Sequence, residues 1–423
     1  EFFASLQKIA PDYFVMPDYD SAHADPLSDY AQKLLLDIEL RERLSLHLLQ
    51  QEAWDLFMVV FMATDEVHHA FWHCLEAEPA DPAYRHREVI RQVYERADQA
   101  IGRILAQLTP EQRTQTDIFV LSDHGGGSLK YMINFNRWLA DEMGLLQFVA
   151  GRGKLLSQLK SGFVKWAARA YRVYTPPRWR AALRNRLGAN KFDQVRAGVE
   201  STLLSGSIDW SQTRAYAMGA GGNIFINLRG REPQGIVEPG QEYEELRQRI
   251  TARLMELRSP ENGEPIVAHV HRREELFNGP YLDRAPDLLV EWADYHFWGR
   301  GRYDSRAPIF EAHHQLDLTT MPLTGTHRPD GILIAQGPGI RQDASLMGAS
   351  LIDLAPTLLG SLSIAPPAYM DGHILAGLLT PPEYERMRAL VSDQAIETQN
   401  AEMQYDAEEA EIIAEHLRSL GYL

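Results

Sequence analysis

Apolar residues recur at three- and four-residue spacing between Asp29 and Gln51, at Leu34, Leu35, Ile38, Leu44 and Leu48. That period predicts an amphipathic helix. Trp54 to Met62 follows as an almost unbroken apolar run, the pattern expected of a strand buried on both faces of a parallel sheet. A long helix is predicted over Tyr84 to Leu108, stopped by Thr109-Pro110, and a further strand over Asp117 to Leu121. Strand, helix and strand at this spacing predict a parallel crossover unit. Beyond Trp210, the runs Asn223 to Leu228, Asp287 to Glu291 and Gly331 to Ala335 read as short strands, and Tyr243 to Leu257 as a helix. From Pro381 the tail is charged and helical in pattern. The expected class is α/β, with a sheet sandwiched between helices in three layers.

Composition narrows this picture. At 423 residues, with 45% hydrophobic and 24% charged positions, the chain can bury a large core. No apolar run approaches the roughly 18 to 20 residues of a membrane-spanning helix. A net charge of -16 speaks against a nucleic-acid polymer as partner, because backbone binding needs positive surface. The single cysteine, Cys74, rules out an internal disulfide and points to a reducing, cytoplasmic compartment. One stretch departs from the acidic balance. Residues 151–200 carry twelve Lys and Arg against Asp193 and Glu200, with Trp166, Tyr171, Tyr174 and Trp179 among them. Two readings stand: an inserted helical cap with a solvated basic face, or a lid that attracts anionic substrate or lies on a phospholipid surface. The expected organisation is a core part over 1–150, a basic helical insert over 151–215, a second core part over 216–380 and a helical tail over 381–423.

Five candidate metal ligands stand in three short contexts. They are Asp65 and His69 in Thr64-Asp65-Glu66-Val67-His68-His69, Asp123 and His124 in Ser122-Asp123-His124-Gly125, and His327 after Gly325-Thr326. Each context borders an apolar run, and open α/β sheets present ligand-binding residues at the carboxyl ends of their strands. Carboxylate and imidazole together suit zinc or a similar divalent ion. Asp65 and His69, four apart, share one face of a helical turn. Gly125-Gly126-Gly127 after the second pair predicts an open turn where backbone approaches a ligand closely. His68 and His73 are expected to pack beside the ligands, and His313-His314 is a candidate cleft pair. Asn134 could donate to a phosphoryl oxygen, but an exposed turn residue is the expectation. Gly219 to Gly222 lacks the Lys-Ser/Thr that follows a P-loop.

Taken in order, these residues resemble the alkaline phosphatase superfamily, and within it the type I phosphodiesterase/nucleotide pyrophosphatase family. The likeness extends over Trp54-Asp55-Leu56-Phe57, Asn136-Arg137-Trp138-Leu139, Asn227 to Gly235, Ala285-Pro286-Asp287-Leu288, Gly325-Thr326-His327-Arg328 and Asp353-Leu354-Ala355-Pro356-Thr357. It also includes the closing Leu420-Gly421-Tyr422-Leu423. The resemblance implies an alkaline-phosphatase-like sheet and a metal-dependent hydrolase of phosphate esters, diesters first, with a small-molecule substrate. It implies two divalent ions, zinc with manganese as the alternative. Asp65, His69 and His327 would bind one, and Asp123 and His124 the other. Ions about 4 Å apart can clamp the attacking and leaving oxygens of an in-line displacement. The family's Gly-Asp-Gly-like turn and its Thr or Ser nucleophile have no counterpart before Trp54. No catalytic nucleophile is therefore assigned in this chain, and the expectation is that an N-terminal portion carries it. Three alternatives stay open: a sulfatase, a phosphoglycerate-mutase-like enzyme and a non-catalytic relative. Cys74 is followed by Leu75-Glu76-Ala77-Glu78, which is not the Cys-x-Pro-x-Arg context a sulfatase needs.

Overall fold

The structure, a computed structural model, describes residues 6, 8–51, 53–149, 208–302, 308–312, 323–342, 344, 346 and 348–394. The basic segment 151–200, His313-His314 and the chain beyond Gln394 lie outside the described residues. In chain order the main elements begin with α1 (Pro26–Gln51), α2 (Ala63–Leu75), α3 (Val89–Leu105), β1 (Ile118–Leu121), β2 (Gly125–Ser128) and β3 (Tyr131–Asn134). Next come α4 (Phe135–Asp141), β4 (Ala215–Ala217), β5 (Asn223–Ile226), α5 (Gln241–Met255) and β6 (Val267–Arg272). They are followed by β7 (Leu288–Trp292), β8 (Phe297–Arg300), β9 (Phe310–Ala312), β10 (Gly325–Arg328) and β11 (Leu333–Gln336). The last two helices are α6 (Leu354–Ser361) and α7 (Pro381–Gln394).

Helices and strands are mixed along the chain, consistent with the expected α/β, alkaline-phosphatase-like fold. The sheet is not continuous. The described strands form four small sheets, ordered β1-β11, β10-β2, β8-β3-β9 and β4-β5-β7-β6. Between named strands, β3 with β8 is the parallel pairing and the rest are antiparallel. Described residues of Glu1–Ser128 and Asp317–Gln404 form one compact unit, and those of Leu129–Leu316 and Tyr405–Leu423 a second.

In the first unit, α1, α2 and α3 pack against one another. Leu34 and Ile38 of α1, Val67, Phe71 and Cys74 of α2, and Val93 and Ala100 of α3 are sealed from solvent. These positions follow the helical spacing that the sequence displays. Asp37 is buried in the same layer, where Arg41 Nε donates to both its oxygens at 2.9 Å. The expected strand over Trp54 to Met62 does not form; the segment is irregular, with Trp54, Leu56, Met58 and Val60 exposed. Backbone in a strand needs a neighbour for its N–H and C=O groups, and among the described residues none pairs with this segment. The parallel crossover predicted from it is therefore absent. β1 pairs antiparallel with β11 instead, Leu121 opposite Leu333.

In the second unit, Leu288, Val290 and Trp292 of β7 point to one side, where they meet Phe135 and Trp138, Ile224 and Ile226, and Ile250 and Leu254. A buried carboxylate fastens the same core. Asp287 accepts from Ile226 N at 2.6 Å, from both terminal nitrogens of Arg231 at 2.7 Å and from the Tyr243 hydroxyl at 2.5 Å. Four donors on one carboxylate compensate for its removal from water. Two motifs from the sequence thus meet as a structural clamp. Asn227 adds to it by donating through Nδ2 to the carbonyls of Trp210, Thr213 and Gln234. Asn134 is not the exposed turn residue expected. It is buried, donates to Pro308 O and accepts from Arg300 Nε at 2.7 Å.

Two outcomes follow. Asp287→Ala leaves Arg231 and Tyr243 facing each other without their shared acceptor, and should destabilise the second unit by about 3–5 kcal/mol; urea denaturation measures this. Burial pushes the Cys74 thiol up to about 12 from its usual 9.0. The folded chain should resist an aromatic disulfide reagent at pH 8 and react fully only in denaturant. Because the unfolded thiol ionises first, this contribution to stability is intact below pH 9 and is lost as the pH climbs towards 12.

Candidate metal centre

Helix α2 presents two faces. Val67, Ala70, Phe71 and Cys74 bury one, while Asp65 and His69, one turn apart, stand on another. Glu66, next in sequence to Asp65, turns inward and accepts from the Tyr30 hydroxyl at 2.7 Å. Strand β10 lies against α2. Thr324 N donates to His69 O at 2.7 Å, and Gly325 O accepts from His69 Nδ1 at 2.8 Å. A carbonyl only accepts, so Nδ1 carries the proton and Nε2 is the nitrogen with the free lone pair.

Glycine makes this approach possible. A Cβ on Gly325 would sit 2.2 Å from the backbone oxygen of His68, and one on Gly126 would sit 2.1 Å from the His68 ring. Gly126 pairs with His327 in the β10–β2 ladder. The glycine run is therefore a strand, not the open turn expected; glycine is needed because helix and strand meet with no room for a methyl. His68 itself packs on Tyr94 and Trp72, with ring centroids 5.5 and 5.4 Å away. His73 meets Thr324 Oγ1 at 3.1 Å.

The structure brings the five expected residues to one place. His69 Nε2 lies 3.1 Å from His327 Nε2 and 3.4 Å from Asp65 Oδ1. His327 Nε2 is 3.6 Å from the same Asp65 oxygen. Asp123 and His124 leave β1 beside them. His124 Nε2 is 3.8 Å from Asp65 Oδ1 and 3.6 Å from Asp123 Oδ1, and its ring stacks on His327 at 3.6 Å. Its Nδ1 meets Gly125 O at 3.0 Å, which turns Nε2 inward as Gly325 does for His69.

Charge is balanced within this group. Burial alone would raise the Asp65 pKa, yet hydrogen bonds and charge from His327 and His69 hold its carboxyl far below the usual range. Burial presses His69 down, but Asp65 and the Gly325 carbonyl together carry it above its ordinary value. His68, buried and facing no carboxylate so closely, is lowered.

The donor set suits a divalent cation. Asp65, His69 and His327 offer one ligand atom each, all within 4.8 Å of one another. Bonds of about 2.0–2.2 Å to oxygen and imidazole nitrogen give ligand separations of this order after a small inward movement. Two facing imidazole nitrogens 3.1 Å apart must share a proton or a cation. Asp123 and His124 adjoin this trio as a pair. Beside Asp65 in sequence, Thr64 Oγ1 donates to Phe61 O at 2.8 Å. On α1, Ser45 and Ser28 donate to Arg41 O and to an Asp25 carboxylate oxygen. The supporting carbonyls of Gly125 and Gly325, and Thr324, were not singled out in the sequence; the small residues before His327 were the available signal.

The family model for type I phosphodiesterase/nucleotide pyrophosphatase matches residues 4–317. The chain belongs to that family, whose members are phosphoric ester hydrolases acting on small-molecule phosphate esters. Searches of the curated proteins and of the solved structures gave no match.

Gly325→Ala tests the architecture without touching a ligand. The new methyl meets backbone, which cannot swing aside, so β10 must move off α2. Destabilisation of about 1–3 kcal/mol is expected, with weaker metal retention, read by thermal unfolding and elemental analysis.

Proposed function

We propose that Asp65, His69 and His327 hold one divalent cation, zinc or manganese. Asp123 and His124 contribute to a second beside it, and at this centre the chain hydrolyses a phosphate diester or a nucleotide-type pyrophosphate. The observation that carries this reading is the convergence of one carboxylate and two imidazoles from α2 and β10 within 4.8 Å. Bound cations supply Lewis-acid stabilisation of negative charge on the phosphoryl oxygens. The chain's own groups prepare the place. Asp65 stays ionised among three imidazoles, and backbone carbonyls fix His69 and His124 with Nε2 inward, a form of support that orients metal ligands. The centre opens towards Asp123, whose side chain is 61% exposed against 16% for His69, so a small ester approaches from that side. The hydroxyl nucleophile of the family is assigned to no residue of this chain.

The test uses the full-length, tag-free protein, its metal content and chromogenic phosphate diester, phosphate monoester and sulfate substrates. Asp65→Asn and His327→Ala should lose metal and lower diester turnover by more than about 100-fold, beyond what loss of a supporting group costs. Variants that keep both metal and turnover, or a response to sulfate alone, overturn the reading.

A further inference from the structure

A second set of imidazoles and carboxylates lies in the other unit, on the outer face of the β4-β5-β7-β6 sheet. Strand β6 is an edge strand of this sheet, and its register against β7 shifts between Val267 and His269, where Ala268 is the extra residue. A bulge reverses which face the following residues occupy. Val267 and Val270 consequently both point into the core, while His269 and His271 both point out. A His-x-His pair on a strand shares one face, and here the ring centroids are 4.4 Å apart.

Beyond β6 the chain enters the helical turn Arg273–Leu276, whose Glu275 reaches back. Its Oε2 accepts from Arg272 N at 3.1 Å, which fixes the carboxylate. The same oxygen lies 3.9 Å from His269 Nε2 and 3.9 Å from His271 Nδ1. The three ligand atoms are all within 4.8 Å of one another. From β7, Glu291 stands opposite His269 in register and meets His271 Nε2 at 2.7 Å. An ionised carboxylate only accepts, so Nε2 carries the His271 proton and the Nδ1 lone pair faces His269 and Glu275. Carboxylate, imidazole and metal in line is the arrangement by which proteins orient a ligating histidine.

We propose that His269 Nε2, His271 Nδ1 and Glu275 Oε2 form a binding site for a transition-metal cation of the zinc class, with Glu291 as the positioning residue for His271. Two imidazoles and one carboxylate favour zinc, cobalt, nickel or copper over magnesium or calcium, which take oxygen ligands. Tetrahedral bonds of about 2.0–2.1 Å require ligand atoms roughly 3.3 Å apart. Closing these gaps, 3.9 Å from each imidazole to Glu275 and at most 4.8 Å between the two imidazoles, takes side-chain rotations of His269, His271 and Glu275. His269 and Glu275 are about half exposed, which leaves the remaining coordination position to solvent. The cation ties the bulged edge strand to the turn that follows it, so binding stabilises the second unit by mass action.

The test separates this site from the centre in the first unit. Tag-free, full-length protein carrying Asp65→Asn, Asp123→Asn, His124→Ala and His327→Ala is titrated with cobalt, followed by its visible absorption, and with zinc by calorimetry. One equivalent should still bind. Adding His269→Ala or His271→Ala should abolish or weaken that equivalent by at least tenfold, and Glu291→Gln should weaken it by about 10- to 100-fold. As a second measurement, His269→Ala in the otherwise unaltered chain should lower zinc content by one equivalent, with an unchanged unfolding temperature in chelator. Retention of the full metal complement in His269→Ala, or no binding in the parent variant while it remains folded, overturns the proposal. In the latter case the cluster is an ion-paired histidine only.

Discussion

The direct contact of strand β10 with helix α2, backbone against backbone, is the constraint on which the candidate centre depends. Gly325 allows the approach because anything larger would strike the His68 carbonyl. The approach then lets the Gly325 carbonyl accept a hydrogen bond from His69 Nδ1 and leaves His327 facing Asp65 and His69. Packing, tautomer and ligand geometry are thus one arrangement. The apolar face of α2, with Val67, Phe71 and Cys74 held in the helical layer, supplies the rigidity against which β10 registers. A site built on helix and strand holds its donors more tightly than one built on loops.

Asp65 of the first unit and Asp287 of the second are held differently. In the first, Asp65 is surrounded by imidazoles whose charge depends on protonation, an arrangement that a cation can replace one proton at a time. In the second, Asp287 is surrounded by a guanidinium, a phenol and a backbone N–H, all fixed donors. The first suits exchange with a ligand and the second suits permanence. Residues of similar prominence in the sequence, Asp65 and Asp287, therefore belong to different kinds of work, and only their surroundings separate them.

Much of this could be read from the chain. Helical periodicity located α1, α3 and α5 to within a few residues, because side-chain burial on one stripe is a local property. Short apolar runs located β1, β5, β7 and β11. Residue types at strand exits brought Asp65, His69, Asp123, His124 and His327 forward, and the coordinates bring those five side chains together. What failed was tertiary in origin. Trp54 to Met62 has a strand's composition, yet pairing is decided by a neighbour and not by the segment itself. Gly125 to Gly127 has a turn's composition, but its glycines serve a close helix contact that only the fold reveals. Asn134 was misjudged for the same reason, since its partners Arg300 and Pro308 lie far along the chain.

The hydrogen bond between His69 and Gly325 spans 256 positions, and that span orders events during synthesis. Helix α2 can form early from local contacts, but its imidazole has no anchor until β10 has been made and has docked. Long-range closures of this kind come late in folding. A nascent chain still short of residue 328 carries Asp65 and His69 as an ordinary exposed pair, without the partners that would retain an ion. An ion held by all three donors therefore has to wait until β10 has been made and has docked on α2.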